Sequence, residues 1–266
     1  MINSMQTALI RKDIRGVTAN RNLFLMLLIV PLIMSVALPT IFVLIVGFTP
    51  VDSADFRELL TILPERMIGA ADLDLRESLI KLILNNIIPV FYLMIPIMAA
   101  SVMSASAFIG EKEKRTLETL LYCPLSLRQI FTAKIIASFA LSQVVSLVSF
   151  AVMTLVVQTE IRLITGVFML PGFNWLVLLL LVSPAVSLVA ISLIVRGSAK
   201  AKSMEESQQR SVFLILPIIL LGVGQFSGSL MIDAWLLLGF GVLCAAVGLI
   251  LLRRSSASFH YERLLL

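Results

Sequence analysis

An all-α, polytopic membrane protein is the fold class this sequence predicts, on three observations. Of its 266 residues 59% are hydrophobic and only 14% are charged, where soluble domains carry about 25% charged residues. Mean hydropathy is +1.03. The apolar residues fall into long runs free of Asp, Glu, Lys and Arg, with none of the strict alternation that a membrane barrel requires. A chain crossing about 30 Å of hydrocarbon must satisfy its backbone internally, and helices of roughly 20 residues do so.

Six charge-free stretches run from Asn22 to Val51, Leu82 to Gly110, Ile135 to Thr159, Leu163 to Val195, Ser211 to Ile232 and Ala234 to Leu252. They place membrane helices over residues 23–48, 83–109, 135–157, 172–195, 211–229 and 234–252. The fourth stretch is too short for two helices and a turn, so it is read as one span beginning near Gly172, after a short loop holding Pro171. The last two stretches, separated by Asp233 and small residues, form a tight helical hairpin.

Ahead of the first span, residues 1–22 place Ile2, Met5, Leu9, Ile10, Ile14 and Val17 on one face and Arg11, Lys12 and Arg15 on the other. That spacing predicts an interfacial amphipathic helix. Residues 49–82 form the sizeable outer segment, with charge and leucine alternating at helical spacing. Residues 110–134 and 196–210 are polar connections, and 253–266 a polar tail. Pro31, Pro39, Pro89, Pro96, Pro184 and Pro217 lie in or at the ends of apolar runs, where each removes a backbone donor and permits a kink. Ser138, Ser142 and Ser146, and the Gly224/Gly228 pair, are spaced for close helix packing.

Six spans put both termini on one side. That side would hold Arg11, Lys12, Arg15 and Arg21; Lys112, Lys114, Arg115, Arg128 and Lys134; Arg196, Lys200, Lys202 and Arg210; and Arg253, Arg254 and Arg263, sixteen of the 21 basic residues. The positive-inside rule makes it the cytoplasm, so the net charge of +5 reflects topology and needs no nucleic-acid partner. The first apolar run is longer than the core of a removable signal peptide. Cys123 lies in the cytoplasmic insert and Cys244 in the last span, which argues against a disulfide.

Catalytic chemistry has little to work with. His260, in the tail, is the sole histidine, which excludes an HExxH zinc site and makes neither cysteine part of a metal centre. No acid or base falls mid-span, so a proton relay or ion-coupled transport site is not expected. No GxxxxGK[ST] motif appears to cradle nucleotide phosphates. Any energy used must enter from another chain.

The entry point is the charged insert between spans two and three. In "GEKEKRTLETLLYCPLSLRQIFTAK", Glu111 precedes Lys114 and Arg115 by one turn, Lys114 precedes Glu118, and Leu117, Leu120 and Leu121 take the opposite face. Pro124 ends this short amphipathic helix, and Ser126 serves as N-cap for a second helix, Leu127 to Lys134, that runs into span three. This stretch resembles the characteristic segment of ABC-2 type transporter permeases at Glu111, Lys112, Glu113, Thr116, Leu117, Glu118, Leu120, Leu121, Pro124, Leu125, Ser126 and Lys134, with Arg115 where many members have glycine. "AKSMEESQQRSVFLILP", residues 199–217, is similar to the family's segment before span five.

The resemblance implies a half-transporter in the cell membrane, bacterial or archaeal, with both termini cytoplasmic. It would pair with a second permease copy, identical or related, and with two separate ATPase subunits that hold ATP and Mg; no cofactor would bind this chain. The coupling interface would comprise Glu111, Glu113, Arg115, Leu117, Glu118, Leu120, Leu121 and Pro124, the acids meeting basic residues of the ATPase and the leucines filling an apolar notch. Export of a drug, peptide, lipid-linked molecule or ion follows from the same resemblance. Two other readings compete with it: an ATPase-linked subunit for signalling or assembly without cargo, and an ATP-independent channel or scramblase.

Overall fold

The computed structural model describes residues 4–50, 75–113, 116, 124–198, 203–211, 213, 215–226 and 234–257, and among these every regular element is a helix. We number them α1 (Ser4–Thr18), α2 (Arg21–Phe48), α3 (Arg76–Glu113), α4 (Leu127–Thr165), α5 (Phe173–Ser198), α6 (Met204–Ser211), α7 (Ile215–Phe226) and α8 (Ala234–Ala257). Five of them, α2, α3, α4, α5 and α8, are long and apolar enough to cross a membrane. The sixth expected span, 211–229, coincides with α7, whose 12 described residues are fewer than a crossing needs. Most of the expected outer segment, 51–74, lies outside the described residues.

Helix α3 is the hub. It packs against α4 on one side and α5 on another; α8 covers α5, α2 runs along α4, and α6 and α7 lie against α3. Small residues permit this closeness: Ala99, Ala100, Ser101, Ser104 and Ala105 of α3, Ser138, Ser142, Ser146 and Ser149 of α4, and Ser183, Ser187, Ala190 and Ser192 of α5 are all essentially inaccessible. Ser192 Oγ adds a bond to Gly248 O at 3.3 Å, joining α5 to α8. Gln143 Nε2 donates to Ser187 Oγ at 2.9 Å, a polar tie between α4 and α5 that satisfies a carboxamide within an apolar run.

Three of the prolines act through one device. Pro31, Pro89 and Pro184 each follow, by two residues, a wide π-helical turn, at Leu25–Ile29, Ile83–Ile87 and Leu178–Val182. A proline cannot donate to the carbonyl four residues back, and its ring crowds that carbonyl; widening the turn relieves the crowding and shifts bonding to the fifth residue. Ile88 N–H accordingly donates to Ile83 O, and Ser183 N–H to Leu178 O.

The shift leaves carbonyls without helical donors, and in α3 the next hairpin supplies them. Leu84 O has lost Ile88 N–H and finds no donor in Pro89; the Trp175 indole donates to it at 3.0 Å. Asn85 O, four residues before Pro89, receives Asn174 Nδ2 at 3.3 Å. Asn85 Oδ1 in turn accepts Gly172 N–H at 2.6 Å, in a contact so close that a Cβ on Gly172 would sit 2.7 Å from that oxygen. On its other side the 166–172 loop is held by Gln158, which accepts Met169 N–H at 3.2 Å and donates to Met169 O. Trp175 also packs against Tyr92 and Phe150, with ring centroids 5.4 and 5.2 Å away.

Trp175→Phe keeps the ring packing and strands Leu84 O. A loss of about 1–3 kcal/mol is expected, read as a lower melting temperature in detergent, with a smaller effect from Asn174→Ala at the looser 3.3 Å contact.

Candidate functional site

The candidate site is built around the start of α4. Ser126 Oγ accepts Gln129 N–H at 3.3 Å while Gln129 Oε1 accepts Ser126 N–H at 2.9 Å, a reciprocal capping box that fixes where the helix begins. From there α4 continues without interruption for 39 residues, about 58 Å at 1.5 Å per residue. That exceeds the hydrocarbon thickness of about 30 Å, and the turns ahead of the charge-free stretch that starts at Ile135, which carry Arg128 and Lys134, form a rigid extension of span three.

Lys134 lies on this extension with its side chain 4% exposed. Its ammonium reaches Glu111 Oε2 of α3 at 2.8 Å and Asp13 Oδ2 of α1 at 3.8 Å, donates to Ala107 O, and stands 5.7 Å from the Phe108 ring centroid. Glu111 Oε1 accepts a second ammonium, from Lys12, at 2.6 Å. Two ammonium groups and two carboxylates thus join three helices distant in sequence. Lys134 and Glu111 are the buried pair; Lys12, 57% exposed, is a rim contact.

α1 is drawn in by the same groups. It buries Gln6, Leu9, Asp13 and Val17 and leaves Met5 exposed, so its inward face is partly polar, unlike the apolar stripe expected of a helix resting on lipid alone. The reason is its partner. Gln6 Nε2 donates to Gln129 O at 3.2 Å near the start of α4, and Asp13 meets Lys134 further along, so α1 runs beside the extension in the same sense. Burial raises the Asp13 carboxyl above its ordinary value of 3.8, Lys134 opposing this and Glu111 adding to it.

Of the expected coupling residues, Glu111 is turned inward onto Lys12 and Lys134. Thr116 folds back on it, its N–H donating to Glu111 O at 2.9 Å. Glu113 Oε2 accepts Met204 N–H at the start of α6, at 3.4 Å, and the Met204 sulfur lies where a Cβ on Gly110 would approach it at 3.1 Å. The two polar connections, 110–134 and 196–210, are therefore in contact at the end of α3. Pro124 is exposed just ahead of the Ser126 cap. Arg115, Leu117, Glu118, Leu120 and Leu121 lie outside the described residues, as do Lys114 and Cys123. Asp13 escaped the sequence reading, although it is the single acid in a basic tail and sits one turn from both Leu9 and Val17.

An all-helical, multi-pass membrane protein with a charge-tied junction at one end of its bundle is what this geometry defines. Residues 69–251 match the family described as ABC-2 family transporter protein, and the chain belongs to that family as a membrane permease subunit. No curated protein and no solved structure matches it. α1 and α2 precede the matched residues, so the junction fastens an N-terminal helix onto the family's own core.

Glu111→Gln strands a buried ammonium and is expected to cost about 3–5 kcal/mol, whereas Lys12→Ala, at an exposed pair, costs no more than about 1 kcal/mol; thermal melting of the purified chain separates the two. With its folded-state pKa raised, Asp13 holds a proton in the native state that the unfolded chain has released. Its contribution therefore weakens as pH climbs from the ordinary value of 3.8 through the raised one. Asp13→Asn removes that part of the slope, which melting curves taken across pH 4–8 would show.

Proposed function

We propose that the chain is the membrane-spanning permease of an ATP-driven exporter, which receives the work of nucleotide hydrolysis from separate ATPase subunits at residues 110–126. The observation that carries this reading is the buried Lys134–Glu111 pair at 2.8 Å. It fixes the base of the insert to α3 and α4 together, so a push on the insert moves both spans as one body, as rigid-body switching requires. ATP and Mg reside on the partner chain, two ATPase subunits serve two permease copies, and both termini face the cytoplasm of a prokaryotic cell membrane.

In this arrangement Glu111 holds the insert in place, and Glu113, Arg115, Leu117, Glu118, Leu120, Leu121 and Pro124 form the surface offered to the ATPase. Permeases carrying Leu117→Arg with Glu118→Lys should insert normally and lose co-purification with the ATPase; undiminished co-purification rejects the docking role. Cys123 should react with a membrane-impermeant thiol reagent only after cells are opened. Labelling in intact cells would invert the topology and remove the interface from the ATPase. Nucleotide-dependent flux in reconstituted vesicles then separates transport from signalling or passive conduction.

A further inference from the structure

Within the bundle, α2, α3 and α4 leave between them a small cavity of about 40 Å³. Its walls hold Met34 of α2, Met94 and Met98 one turn apart on α3, and the buried Met153 of α4. Four of its eleven lining residues are thus methionine, against 12 in the 266 of the whole chain, so composition does not account for the grouping. Methionine is flexible and ordinarily closes gaps of this kind; here four surround one that stays open. The backbone supplies a reason. α3 departs from regular winding at Leu93, whose N–H returns to Val90 O at 3.2 Å just ahead of Pro96, and Pro39 lines the α2 wall. Among the described residues no acid, amide, histidine or cysteine lines the space. The two hydroxyls that do, of Ser35 and Tyr92, donate to main-chain carbonyls, at Leu32 and Ser146.

We propose that this cavity is a thioether site for one soft monovalent metal ion, of the copper(I) and silver(I) class, held by the sulfurs of Met34, Met94, Met98 and Met153. Size selects an atom-sized guest, because organic ligands occupy clefts of about 300 Å³ or more. Polarity then selects the kind of ion. Apolar cavities stay dry, and calcium, magnesium or zinc entering this one would give up hydration without finding the oxygen, imidazole or thiolate ligands they require. Thioether sulfur suits copper(I) instead. Neutral ligands leave the ion's charge uncompensated, so a single charge is the most such surroundings tolerate, and the rings of Phe91 and Tyr92 in the same wall add cation–π attraction. Three rotatable bonds per methionine let the sulfurs close on the ion without moving the helices. The inference goes beyond the coupling reading, because it assigns a ligand to the membrane-spanning part of the chain.

The test is calorimetric titration of silver(I), a redox-inert probe of this class, into the full-length permease in lipid nanodiscs and chloride-free buffer, with empty discs subtracted. Cys123→Ser and Cys244→Ala first remove the competing thiols. One equivalent bound per chain is expected, weakened about tenfold or more by Met94→Leu with Met98→Leu. Met5→Leu with Met26→Leu, at exposed methionines outside the cavity, should leave it unchanged. Leucine conserves the volume of methionine, so the melting temperature without silver should hold; Met153→Leu provides a single-residue variant with the same expected direction. X-ray absorption of the copper(I)-loaded chain should show sulfur as the sole ligand type, a signature that the Met94/Met98 variant loses. Absence of saturable silver binding, equal binding by the two paired variants, or zinc(II) binding as tightly as silver(I) overturns the proposal. No ATPase takes part in the measurement, so its outcome is independent of whether the insert couples to one.

Discussion

The junction of α1, α3 and α4 depends on one buried ammonium. Lys134 is almost inaccessible, and removing a charge from water is tolerable only where partners replace its hydration. Those partners come from two other helices: Glu111, Ala107 O and the Phe108 ring from α3, and Asp13 from α1. Because the penalty for an unpaired charge here is large, the three helices must arrive together. The network stabilises the junction less by its net energy than by excluding arrangements in which one helix is elsewhere.

A second constraint governs the opposite half of the bundle. Pro89 widens a turn of α3 and releases two carbonyls from helical bonding, that of buried Leu84 and that of half-buried Asn85. Trp175 and Asn174 answer them, and Asn85 returns a bond to Gly172, so the link between spans three and four is set by a defect in span two. Pro89 is thus part of the scaffold: the irregularity it creates in α3 fixes where α5 begins. The serine-lined seam of α3, α4 and α5 lies between these two fixed ends, packed by small residues with little interlocking bulk.

For a family transporter subunit this division is mechanically sensible. A 39-residue helix that carries its own cap is a long rigid element, and the Lys134–Glu111 pair joins it to α3 at the point where the charged insert departs. α1 adds span one to the same assembly, since it leads directly into α2 through the Asn20 cap, whose side chain accepts Asn22 and Leu23 N–H. In the coupling proposed above, motion received at the insert reaches the first three spans through short polar contacts, and the remaining spans through the packing of α3 on α5 and of α5 on α8.

Hydrophobic run length alone determined the class of this protein and the presence of five long apolar helices; a capping serine marked the start of α4 at Ser126, and a family resemblance singled out the segment from Glu111 to Lys134. These properties are local: a span must be apolar along its whole length, and a cap acts within four residues. Tertiary structure decided what no local pattern encodes. Glu111 is adjacent in sequence to Lys112 and close to Lys114 and Arg115, yet its partners are Lys12 and Lys134, because pairing follows proximity in space and burial makes distant partners the stronger ones. Asp13 reads as one more polar residue of a tail until α4 covers it, and Pro89 reads as a kink until Trp175 and Asn174 are seen meeting the carbonyls it frees. Membrane insertion is written in composition, whereas the wiring between helices depends on which surfaces meet, and that is settled only when the bundle closes.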